Sequence, residues 1–265
     1  MIKRDLIWTP FLFLLYRDVK RFYKVKIQTV LMPLVTYSLY LIIFGVSLGK
    51  VINIHESFTY LEFIIPGLIT LGAMNNAFEN GSSSLFTMKI TGEIIDLKST
   101  ALHPQQIIWA MTLSGLFRGV TVGLLTLGLG EVFHYFHQGA WLPIHNLPFL
   151  FVFILVGGAV FAKIGLSVGI WSRSFDQIGA VRGFVILPLI YFGGVFFDLD
   201  KLAPFWQTAS LLNPLFYFVN GIRWSVLGEA DISPERAFTM VLMSLVLAHF
   251  IAWFFMKKGS FARAA

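Results

Sequence analysis

Six stretches of the chain are built almost wholly from apolar side chains: residues 27–48, 58–80, 107–129, 149–171, 178–197 and 237–255. A helix needs about 20 such residues to cross a bilayer, and each stretch is predicted to be one span. Residues 198–235 differ, because their apolar runs are interrupted at Pro204, Asn213-Pro214 and Arg223-Trp224. Runs of about 10–14 apolar residues predict re-entrant or interfacial helices rather than spans. At the N-terminus, Leu6, Ile7, Phe11, Leu14 and Leu15 supply the apolar side of a helix that also carries a basic cluster. This predicts an amphipathic helix on the membrane surface, with Pro10 near its start or breaking it. The expected architecture is an all-α polytopic membrane protein with six spans. Residues 1–26 form its interface helix, 27–257 its transmembrane domain and 258–265 a short tail.

Composition supports the pattern. Of 265 residues, 57% are hydrophobic and 13% charged, about half the charge of a soluble domain. The absence of cysteine excludes a disulfide scaffold, thiolate metal sites and cysteine nucleophiles. Basic residues are unevenly placed. Lys3, Arg4, Arg17, Lys20, Arg21, Lys24, Lys26, Lys89, Lys98, Arg173, Lys257, Lys258 and Arg263 fall on one face of the six-span topology. Lys50, Lys201, Arg223 and Arg236 fall on the other. The positive-inside rule puts both termini in the cytoplasm. The net charge of +6 follows from this asymmetry and calls for no nucleic-acid partner.

Charges inside spans need partners. Arg118 lies near the middle of the third span and Glu79 nearer the inner end of the second, within reach of a long arginine stem. The two are expected to pair, with Asn75 and Asn76 as neutral acceptors. Lys163 and Arg182 are expected to snorkel to the inner interface. Gly115, Gly119 and Gly123 form a small-residue stripe that serves either packing within the chain or a dimer seam.

Catalytic chemistry is thin. Gly45-Val-Ser-Leu-Gly-Lys50 is one residue short of a phosphate loop and lacks the Ser or Thr after its lysine. Glu131, His134 and His137 form a slanting stripe among aromatics, and no metal site is expected there. Ser82 and Ser83 with His249 lack any sign of a triad.

Two segments carry the functional reading. The second–third loop holds Glu93, Ile94, Ile95, Asp96 and Leu97 ahead of Pro104, a pattern for a short amphipathic helix too polar to enter the bilayer. The stretch after the fifth span runs Gly193-Gly194, Phe196-Phe197, Pro204-Phe205-Trp206, Asn213-Pro214 and Arg223-Trp224. Together these features resemble the ABC type-2 transporter permeases, membrane subunits of polysaccharide, lipid and drug exporters with the type V exporter fold. The resemblance covers about residues 10 to 257.

That resemblance implies a homodimeric pathway in the bacterial inner membrane, moving an amphipathic or glycan-type substrate outward. It implies two copies of a separate ATP-binding subunit docked on Glu93–Leu97. ATP and Mg would be held by that separate subunit, with no cofactor in this chain. It also implies an outer gate containing Gly193, Gly194, Phe196, Phe197, Pro204, Trp206, Asn213, Pro214 and Arg223. An ATP-independent secondary transporter or a channel is the alternative, but the former calls for interrupted helices in two matching halves, and only one interrupted region is present.

Overall fold

The computed structural model describes residues 2–50, 58–99 and 102–258. The side chains of Lys3, Arg4, Leu6, Ile7 and Lys98 and the tail beyond Lys258 lie outside the described residues. Among the described residues every regular element is helical. In chain order these are α1 (Ile2–Lys24), α2 (Ile27–Ser47), α3 (Tyr60–Thr91), α4 (Glu93–Ser99), α5 (Pro104–Gln138), α6 (Leu147–Trp171), α7 (Phe175–Val181), α8 (Leu187–Tyr191), α9 (Pro204–Leu211), α10 (Pro214–Leu227) and α11 (Pro234–Lys258).

Local chemistry sets the boundaries. Thr59 and Glu62 form a reciprocal capping box at the start of α3, and Gly92 (φ 82°) ends it in a left-handed turn. His103 and Gln106 cap α5 in the same way, ahead of Pro104. Asn146 caps α6, and Asn213 caps α10 by accepting from the Leu215 amide.

Helices α2, α3, α5, α6 and α11 are long and apolar enough to cross a membrane. The stretch expected to be the fifth span is shorter than predicted. It is α7, a wide π-type turn at Arg182–Ile186, and α8, and it stops at Tyr191. Gly193–Phe197 therefore lie beyond the helix and not within it. Pro10 also departs from expectation, since α1 runs through it unbroken.

Helix α3 is the axis of the bundle, packed along both α5 and α6. Glycines make these approaches possible. A Cβ at Gly119 would stand 2.5 Å from the Ala73 carbonyl, and one at Gly115 2.8 Å from Ala162 Cβ. Gly81 and Gly165 sit against the backbones of Ala162 and Phe78. The Gly115-Gly119-Gly123 stripe is thus used for packing within the chain. Pro66 lies inside α3, and the adjacent Gly67 receives Val195 at its surface.

Apolar residues fall into two groups. The larger one joins α3, α5, α6 and α10, and includes Phe63, Phe78, Phe153, Phe216 and Phe218. The smaller lies at the other end of the bundle, where Leu14 of α1 and Ile94 of α4 meet Leu85, Met88, Ile108 and Ile170.

Candidate functional site: a polar cavity and two anchored ends

A cavity of about 290 Å³ opens between α2, α3 and the α7–α8 segment. Glu79 stands in its wall and Arg118 reaches it from behind, with Nη2 donating to Glu79 Oε2 at 3.1 Å. Arg118 Nε also donates to Asn76 Oδ1 at 3.4 Å. The other oxygen of Glu79 pairs with Arg182, whose side chain is half exposed. Lys163, by contrast, does not snorkel. It is fully buried, with Nζ 4.1 Å from the centre of the Trp109 ring, because the indole closes over it and supplies a π-face in place of water.

At the end of the bundle that holds α4, helix α1 is locked to its neighbours by a buried carboxylate. Asp18 Oδ2 accepts from Ser84 Oγ at 2.7 Å and Ser114 Oγ at 3.2 Å, while Oδ1 accepts from Arg17 at 2.8 Å. Arg17 also reaches Glu93 at 2.8 Å and so ties α1 to the start of α4. Within α4, Ile94 and Leu97 are buried in the subunit, whereas Ile95 is 58% exposed and Asp96 is at the surface. The apolar strip expected for a partner is therefore split. Two of its residues anchor α4 to its own chain and Ile95 is displayed. Lys89, expected on the surface, is buried and donates to the carbonyls of Ile170 (2.8 Å) and Ser172 (2.5 Å), capping the end of α6.

At the other end, Arg223 organises the segment after α8. It is 1% exposed, donates to the Gly194 carbonyl at 2.5 Å and to Asp231 at 3.3 Å, and lies 3.8 Å over the Phe63 ring. Gly194 has φ 73°, which favours glycine. Gly193 is closed in by Leu215 and the Leu189 carbonyl. Asn213 donates to that same carbonyl at 2.6 Å, pinning the entry of α10 to the end of α8. The Phe196 ring packs on Tyr40 and Phe44 of α2, and its carbonyl accepts from Tyr60 at 3.1 Å. Phe197 is half-buried. Pro204 opens α9, where Trp206 stacks on Phe192 at 4.9 Å. Burial of the Asp231 carboxyl raises it to about 6; Arg223 opposes the rise and Asp198 adds to it.

The remaining candidates are engaged elsewhere. His134 contacts Glu62 Oε1 (3.0 Å) and the Ala140 carbonyl (2.7 Å), and Glu131 accepts from the Leu142 amide. Ser82 and Ser83 donate to helix carbonyls, and His249 stacks near Trp109.

Residues 9–227 match the ABC-2 type transporter family. The chain belongs to that family. It is 33% identical over 254 residues to the inner membrane transport permease YadH of Escherichia coli strain K12, covering 96% of this chain and 97% of that one. It is 26% identical over 221 residues to nodulation protein J of Rhizobium leguminosarum bv. viciae, 78% of each chain. Nodulation protein J of Rhizobium meliloti strain 1021 is 25% identical over 210 residues.

As an ABC-2 permease the chain is a multi-pass membrane transport subunit. Its Gly45–Lys50 stretch is wound into helical turns, so no backbone loop is available there to cradle phosphate. The sequence reading of this permease missed Asp18, Lys89 and Asp231. Only Asp18 left a signal, since it stands four residues from both Leu14 and Phe22 on the apolar side of α1.

Proposed function

We propose that this permease is the membrane subunit of an ATP-driven exporter of the inner membrane, with both termini cytoplasmic. Two copies form the pathway and move an amphipathic or glycan-type substrate outward. ATP and Mg are held by a separate subunit, two copies of which dock on α4. Gly193–Arg223 form the outer gate, with α9 and α10 entering the membrane from outside without crossing it.

The observation that carries this reading is the construction of α4. Seven residues are held to the bundle by Ile94, Leu97 and the Glu93–Arg17 pair, and present Ile95 outward. A helix lying on lipid needs no such anchoring. The family membership and the transport-permease name of the YadH relative support the same conclusion.

Ile95→Asp tests it. Burial of one isoleucine in a partner groove contributes about 1.5–3 kcal/mol, so co-purification of the ATP-binding subunit should fall by at least about tenfold. The variant should insert and fold normally. Normal co-purification together with normal export would remove α4 as the docking element.

A further inference from the structure

The cavity beside Glu79 has a chemistry of its own. Both oxygens of Glu79 are occupied, one by Arg118 from behind the wall and one by Arg182 at the cavity. Two guanidinium groups on one carboxylate leave the site with an excess positive charge. Arg182 spends only Nη1 on Glu79, and its side chain is 51% exposed. A guanidinium carries five N–H donors, so several remain beyond the bond to Glu79. Asn75 also lines the cavity, but its Oδ1 is closed off from it. Leu187 and Ile190 continue the lining as an apolar strip.

The geometry points to a binding site for an amphipathic molecule whose head bears an anionic group. The anion binds Arg182, and the tail follows Leu187 and Ile190. About 290 Å³ admits one head group of glycerol or single-sugar size, not a polymer. A cationic head finds no free carboxylate. Both a resident lipid and a transported substrate have this chemistry. Assignment as cargo rests on the export reading, whereas binding does not.

The binding test uses the purified protein in maltoside micelles, with short-chain phosphatidylglycerol or phosphatidylcholine as probe and the thermal unfolding midpoint as readout. Phosphatidylglycerol should stabilise saturably, and phosphatidylcholine of the same chain length should act at least tenfold more weakly. Arg182→Gln should weaken the phosphatidylglycerol response about tenfold or more, the scale of a lost hydrogen bond to a charged group. Glu79→Gln should strengthen it, because both guanidinium groups are released; a purely structural Glu79 would give the opposite sign. The proposal is overturned by equal responses to the two lipids, by unchanged binding in Arg182→Gln, or by weaker binding in Glu79→Gln.

A second arm separates the sources. In vesicles holding the permease with its ATP-binding subunit, Arg182-dependent, ATP-driven outward movement of labelled phosphatidylglycerol marks the ligand as cargo. Micellar binding without such movement supports the site as one for a resident lipid.

Discussion

Removing the Arg223 guanidinium should unfasten the segment after α8. The group is 1% exposed and its partner Asp231 9% exposed, so water screens the pair little. Arg223→Met keeps most of the apolar stem but deletes the bonds to the Gly194 carbonyl and Asp231 and the stacking over Phe63. Breaking one side of a buried pair costs about 3–5 kcal/mol, mostly because the other charge is stranded. Asp231 would be stranded beside Asp198, which already acts on it unfavourably. Adding Asp231→Asn should recover much of the loss. The measurement is a double-mutant cycle by denaturant unfolding in detergent, followed through Trp224 and its neighbours. A loss below about 1 kcal/mol, the level of a solvated pair, would refute the buried-pair argument. So would strict additivity of the two single changes.

Other outcomes follow from the same structure. Between pH 3.8 and about 6 the folded chain keeps a proton on Asp231 that the unfolded chain has released. This group's contribution to stability therefore falls as pH rises through that window and is level above it; Asp231→Asn should remove the slope in pH-dependent unfolding. Ile94→Asp, unlike Ile95→Asp, should reduce the folded yield itself, because Ile94 is 1% exposed; normal yield would show that α4 is not anchored by it. Gly165→Ala should destabilise by about 1–3 kcal/mol, since its Cβ meets the Phe78 carbonyl, and an unchanged midpoint would argue against close packing of α3 on α6. A cysteine at Lys201, in a chain with none of its own, should react with an impermeant thiol reagent from outside, and labelling only from inside would reverse the proposed topology.

Much of the architecture is legible in the sequence because length and apolarity suffice to mark long membrane helices. Depth along two spans is likewise enough to set Arg118 beside Glu79. The inner–outer split of α4 is not legible. Ile94, Ile95 and Leu97 are equally apolar, and only the position of Leu85, Met88 and Ile108 decides which of them turn inward. Asp18 is hidden for a related reason: its hydroxyl partners lie 66 and 96 residues away. A charged residue on an amphipathic helix ordinarily faces water. For Lys163 the sequence offers a free lysine stem, and Trp109, from another helix, takes away its route to the interface. The shortening of the fifth span goes with Asn213, whose amide binds the Leu189 carbonyl of α8.

The continuity of α3 has a mechanical consequence. Its 32 residues make a rod of about 48 Å, joined at Gly92 to α4 and hydrogen-bonded through Tyr60 to Phe196. Most of that length is clamped by α5 and α6 and resists flexing. The weak point is Pro66, where a backbone hydrogen bond is missing, and the Gly67–Val195 contact lies directly beside it. A tilt imposed at Gly92 is thus delivered nearly undiminished over most of the rod, and whatever bending it causes is concentrated at a fulcrum touching the segment that Arg223 fastens.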